Sequence, residues 1–353
     1  MRFDVFIGCY APKGAQSLLR YAVDTEKRSF QLRQAVDELE NPSYLLPDEK
    51  RGLLYCVEEI SPSGRLTAVN LKEQPMKVLG RCHTQAGDPC HLAMEPDGNH
   101  ITVTNYCAQT SDGSITRFAL NEQGMPAFLQ RIAHRGSGPN ARRQAAPHPH
   151  SAWYVGKRLL VCDLGADRLV DYRYQDEELE KQGELALEPG SGPRHLCFSS
   201  QHPEWIYVLC ELSAVLYVFQ WRDNAYHLRQ TLDTLPPEAT PEQHAENYAG
   251  AIKMTPDGRF VFVSNRGYDS LTVFSVKEDR TLQYESAIKT GGSYPRDFAL
   301  VKNVVVVGHQ KSGTVTAFRF DAASRSLTSI PMWLELSAAP VCIAVAPGSV
   351  QEE

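Results

Sequence analysis

The chain has 353 residues, 42% hydrophobic and 22% charged, with a formal charge of −6. That length suits two ordinary domains or one large repeat fold, and the acidic balance gives no electrostatic reason to expect nucleic acid or an anionic membrane as a partner. No run approaches the ~18 apolar residues that span a bilayer, and no charged-then-apolar signal pattern opens the chain.

The nine cysteines form no CxxC pair. Most sit in apolar strand-like runs (Cys56, Cys162, Cys197, Cys210, Cys342), where a thiol packs as a small core group. The expectation is a reduced, cytoplasmic protein. No HExxH or paired CxxC suggests a metal site, and no cofactor is expected.

In chain order, Phe3–Gly8, Leu18–Val23 and Phe30–Arg33 read as three strands without an opening partner. From there a four-strand unit recurs about every 45 residues. Asn41-Pro42-Ser43-Tyr44 opens the first whole unit, followed by Leu53–Glu58 and Leu66–Val69. Asp88-Pro89-Cys90-His91 opens the second, which turns at Pro96-Asp97-Gly98 into Ile101–Tyr106 and then Ser114–Phe118. His148-Pro149-His150-Ser151 with Leu159–Asp163 begins the third, and Gly192–Phe198 with Trp205–Leu212 the fourth. Ala249–Thr255, a Pro256-Asp257-Gly258 turn and Phe260–Gly267 make the fifth; Tyr294–Asp297 with Val304–Gln310 make the sixth.

A last opening strand, Pro340–Val345, has too few residues after it to complete a blade. The three strands it lacks are those at the other end of the chain. Pairing the two ends closes a ring and leaves no open sheet edge. The expected fold is all-β: one seven-bladed β-propeller domain over residues 1–353, with Phe3–Gly8 beside Pro340–Val345.

Within each unit the start of the first strand lies near the end of the second. That places Asn41 with Glu58, His150 with Asp163, Arg194 with Glu211 and Arg296 with His309 on one rim, where Asn105 and Arg266 also fall. An isolated Arg–Glu or His–Asp pair is commonly structural. Here the identities differ from blade to blade, which points to a specific site. Residues 134–147 and 235–247 form long polar loops on the same face, and long loops in compact folds tend to be functional. The first brings Arg142, Arg143 and His148 to the mouth, with Arg142 read as solvated. Clustered guanidiniums suit phosphate or carboxylate.

Asn41-Pro42-Ser43, Pro89-Cys90-His91, Arg143-Gln144, His148-Pro149-His150-Ser151, Cys162-Asp163-Leu164-Gly165, Gly190–His195, Glu211-Leu212, Ser264-Asn265-Arg266-Gly267, Pro295-Arg296-Asp297 and Pro340-Val341-Cys342 together resemble the propeller-type lactonase family. That family includes bacterial 6-phosphogluconolactonases and fungal 3-carboxy-cis,cis-muconate cyclases. The resemblance runs through the whole chain and implies metal-independent hydrolysis of 6-phospho-D-glucono-1,5-lactone, a small anionic sugar lactone, in the pentose phosphate pathway. Lactone formation or opening of the cyclase kind is the alternative.

Matching the cyclase branch motif by motif implies His150, Arg194, Glu211 and Arg266 as catalytic residues. Cys210 stands where the family commonly has Asn before the Glu, and His309-Gln310 replaces Asn-Gln. Hydrolysis needs a base and an oxyanion-stabilising cation. His150, oriented by Asp163, or else Glu211, supplies the first; Arg194 and Arg266 supply the second. Arg143 and Arg296 are expected on the anionic tail, with Asn105, Asp163 and His309 completing the substrate-binding set. A non-catalytic interaction scaffold is disfavoured by the lack of the repeated GH…WD signature.

Overall fold

The computed structural model describes residues 1–110, 112–175 and 178–351; the rest of the expected 1–353 span lies outside them. The described residues form seven antiparallel four-stranded sheets, the blades of a β-propeller. Blade 1 joins the two ends of the chain. Its second strand, Arg2–Tyr10, pairs with Ala339–Val345 on one side and with Leu18–Asp24 on the other. Backbone bonds between Arg2 and Gln351, 3.2 and 2.8 Å, extend the clasp.

The first strands neighbour one another around the axis: Pro149–Val155 of blade 4 lies between Pro89–Met94 of blade 3 and Pro193–Ser199 of blade 5. The hydrophobic core is a ring of inter-blade layers. Phe3, Val5 and Ile7 of blade 1 pack with Val304, Val306 and Val315 of blade 7. Likewise Leu209 and Leu216 of blade 5 pack with Val261 and Val263 of blade 6. The alternating apolar residues of each second strand supply these layers, because successive side chains point to opposite faces of a sheet. The Pro-Asp-Gly turns end with Gly98 and Gly258 at φ of 71° and 70°, a conformation that glycine adopts without steric cost.

One irregularity positions the site. The first strands of blades 3, 4, 5, 7 and 1 begin at or beside a proline (Pro89, Pro149, Pro193, Pro295, Pro340). In blades 3, 4, 5 and 7 the pairing register shifts by one immediately after it. Proline has no N–H to give the ladder and is tolerated at a strand's first residue. The extra residue forms a bulge and is re-aimed off the sheet. The bulged residues are Cys90, His150, Arg194 and Arg296.

Candidate active site

The bulged residues meet in a funnel at one end of the axis, together with residues at or just past the ends of several second strands. Blade 5 shows the plan. Pro193 pairs with Cys210 and His195 with Leu209, so Arg194 is skipped. Its Nε donates to Oε2 of Glu211 at 3.0 Å, and its Nη1 to the Gly250 carbonyl at 2.7 Å. A Cβ on Gly250 would lie 2.5 Å from Ser264 Oγ, so only glycine lets this backbone approach so closely.

Glu211 is the hub. Arg266 Nη2 reaches its Oε2 at 2.7 Å, and Arg143 Nη2, from the first long loop, reaches its Oε1 at 2.6 Å. Burial alone pushes the Glu211 carboxyl up, but Arg266, Arg194 and Arg143 hold it well below the usual carboxylate range. Burial and the neighbouring Arg266 and Arg296 bring Arg194 down to about 10, so it stays charged at neutral pH. Burial also lowers Arg143, but Glu211 and then Tyr106 outweigh it and raise the guanidinium above its usual value.

His150 lies beside this cluster, its ring 5.3 Å from that of His195 and 5.9 Å from that of Tyr106. Its Nδ1 is buried without a hydrogen-bond partner. Burial and then Arg194 push it well below the ordinary histidine value, so it is neutral at pH 7. His195 is lowered well below for the same two reasons, and His91 falls to about 3, chiefly by burial. Beneath the funnel His91 packs against Tyr44, Trp153 and His195 at 4.2, 4.9 and 5.5 Å, an aromatic floor.

Arg296 is different. Its Nη1 meets Gln310 Oε1 at 3.3 Å and its guanidinium lies 5.2 Å from the Tyr10 ring. Among the described residues no carboxylate comes within ion-pair distance of it. Burial lowers Arg296, but Tyr10, Glu59 and Glu211 outweigh that and raise it.

The structure thus brings together His150, Arg194, Glu211, Arg266 and Arg143, with Arg296 nearby. Asn105, Asp163 and His309 lie elsewhere. Each is the last residue of its second strand to pair with the third, and each ties down its own loops. Asn105 Nδ2 donates to Thr116 Oγ1 at 3.0 Å. His309 Nδ1 faces the Thr314 carbonyl at 3.1 Å. Asp163 accepts from the His148 and Ala166 backbone and pairs with His134 at 2.7 Å. The expected orientation of His150 by Asp163 is therefore corrected, because both carboxylate oxygens are occupied by other groups.

Asn41 lies beside Glu59, not Glu58: the Glu59 N–H donates to the Asn41 carbonyl at 3.0 Å. Glu58 is instead held by Arg81 and Thr67 at 2.8 and 2.7 Å. The same one-residue frame places Tyr10, Glu59, Tyr106 and Gln310 in the funnel with Glu211 and Arg266. Reading those positions required knowing that the Pro-X openings are bulges. Arg142 is exposed as expected. The second long loop carries a short helix, Pro241–Glu246, capped by Thr240. Glu95, Asp97 and His100 have their ligand atoms within 4.8 Å of one another, but Glu95 already holds Arg117 in two hydrogen bonds of 3.1 and 2.9 Å.

The axial funnel thus gathers a neutral imidazole and a set of guanidiniums at one end of a seven-bladed propeller. The model of the seven-bladed β-propeller lactonase family matches residues 4–345, and the chain belongs to that family. It is 29% identical over 349 residues to the 6-phosphogluconolactonase of Bacillus subtilis (strain 168), covering 96% of this chain and 97% of that protein. Among solved structures, the periplasmic gluconolactonase of Pseudomonas aeruginosa superposes with a TM-score of 0.88 at 27% identity over 98% of this chain and 99% of that one. A protein from Lactobacillus plantarum gives the same TM-score and identity over 98% and 100%.

Proposed function

We propose that the protein hydrolyses 6-phospho-D-glucono-1,5-lactone to 6-phosphogluconate in the pentose phosphate pathway. The observation that carries this reading is the funnel itself: a neutral His150 beside Arg194 and Arg266, with Arg296 free of any ion-paired carboxylate among the described residues. The similarity to the Bacillus subtilis enzyme supports the substrate. All nine cysteines are free, which supports the cytoplasm as its location; the Pseudomonas aeruginosa relative is periplasmic by its own description.

In this mechanism His150 accepts a proton from water as the water oxygen bonds to the lactone carbonyl carbon. Arg194 and Arg266 stabilise the oxyanion. Collapse of the tetrahedral intermediate breaks the bond to the ring oxygen, which takes the proton back from His150 as it leaves. The new carboxylic acid then ionises. Both carboxylate oxygens of Glu211 are engaged by three guanidiniums, whereas His150 Nδ1 has no partner; the role of Glu211 is to fix the arginines. Arg143 belongs to that clasp, and Arg296 takes the phosphate.

Cyclase-type lactone formation uses the same residue types, so both reactions belong in the test. The rate of 6-phosphogluconolactone hydrolysis is measured above the spontaneous reaction, beside cyclisation of 3-carboxy-cis,cis-muconate. Acceleration of the first supports the proposal; acceleration of the second alone overturns it.

A further inference from the structure

Two acids occupy equivalent places in the ring, each one residue past the end of its blade's second strand: Glu211 in blade 5 and Glu59 in blade 2. Glu211 is saturated by Arg143, Arg194 and Arg266. Glu59 has no Arg or Lys within ion-pair distance among the described residues. Among the described residues its carboxylate accepts only from the Tyr10 hydroxyl, 2.9 Å from each oxygen. A carboxylate offers about four acceptor sites, so most of its capacity is unused. Burial, with Glu59 also contributing, raises the Tyr10 phenol, which keeps it a donor.

Glu59 and Tyr10 belong to blades 2 and 1, His150 to blade 4, and Arg296 lies beside the first pair, its guanidinium 5.2 Å from the ring of Tyr10, which itself bonds Glu59. The two halves therefore differ in chemistry. Blades 4 to 6 present cations and a neutral imidazole. Blades 1 and 2 present an unsaturated acceptor, which hydroxyl groups satisfy and carboxylates do not.

Building on the lactonase reading, we propose that Glu59, held by Tyr10, is the specificity determinant for the ring hydroxyls of a sugar lactone, selecting polyhydroxylated lactones over lactones without hydroxyls. A substrate lacking those hydroxyls forgoes these bonds to the carboxylate, and such unmet groups are how polar pockets discriminate.

The test compares Glu59→Gln and Tyr10→Phe with the wild type on two substrates, glucono-1,5-lactone and δ-valerolactone, the second having the same ring without hydroxyls. Hydrogen bonds to charged groups contribute roughly 1.5–3 kcal/mol, about 10- to 100-fold. For Glu59→Gln the KM for the sugar lactone rises by about that factor, while kcat/KM for δ-valerolactone changes less than about twofold. Tyr10→Phe, which leaves the carboxylate in place but unsteadied, moves the same ratio in the same direction by less. Unchanged discrimination in both folded variants overturns the assignment while leaving the lactonase reading intact. A wild type that hydrolyses neither is assayed on 6-phospho-D-glucono-1,5-lactone: no hydrolysis of that either overturns both readings, and hydrolysis with a KM unmoved by Glu59→Gln overturns the assignment alone.

Discussion

Replacing Glu211 by Gln keeps the side chain's shape and removes the one charge shared by Arg266, Arg143 and Arg194, at 2.7, 2.6 and 3.0 Å. Removing one member of a buried ion pair costs about 3–5 kcal/mol, mostly because the partner charge is stranded. Here three guanidiniums lose their counterion, so the upper part of that range applies. At about 2.1 cal/mol/K per residue, a 353-residue chain unfolds with an entropy near 0.7 kcal/mol/K. A loss of about 4–5 kcal/mol then lowers Tm by roughly 5–7 °C. Thermal unfolding at low salt measures this, repeated with inorganic phosphate added. An anion that takes the carboxylate's place stabilises the variant more than the parent, by mass action on the folded state. A Tm within about 1 °C of the parent, unmoved by phosphate, refutes the idea that Glu211 is the charge hub of this funnel.

Arg194→Ala and Arg266→Ala each lower kcat by about two to three orders of magnitude, whereas Arg296→Ala acts chiefly on KM. Steady-state kinetics on one lactone decides it, and the reversed pattern exchanges the roles. Stability falls as pH drops below about 6.5, because the unfolded chain binds protons that folded His91, His150 and His195, all lowered, do not. Each such histidine removes about 1.4 kcal/mol per pH unit from near 6.5 downward, together about 4; Tm constant from pH 7 to 5 contradicts it. Activity survives EDTA, since the proposed base and oxyanion-binding cations are all side chains; a loss restored by a divalent ion indicates a metal role.

The propeller was legible because several second strands are nearly continuous apolar runs, such as Val304–Val307, that must be buried on both faces. The split blade followed from Pro340–Val345 lacking partners. On the second strands the site was legible only where the strand end is set one residue further along. Glu211 and Arg266 stand at that extended position, whereas Asn105, Asp163 and His309 stand one residue short of it. A one-residue slip exchanges the faces of a strand. The bulges after Pro89, Pro149, Pro193 and Pro295 impose that slip, and hydropathy does not record it. Glu59 and Tyr10 were missed for the same reason. The partner of Asp163 was out of reach because His134 arrives from a long loop with no periodic pattern to place it.

The central claim is that the axial funnel hydrolyses an anionic sugar lactone with His150 as its base. The most direct measurement is kcat for 6-phosphogluconolactone, corrected for spontaneous opening, in the wild type and in His150→Ala at pH 7. Acceleration by the wild type is expected, with a loss of about 10²- to 10⁴-fold in the variant and KM little changed. No acceleration by the wild type, or equal kcat in the two proteins, contradicts the claim.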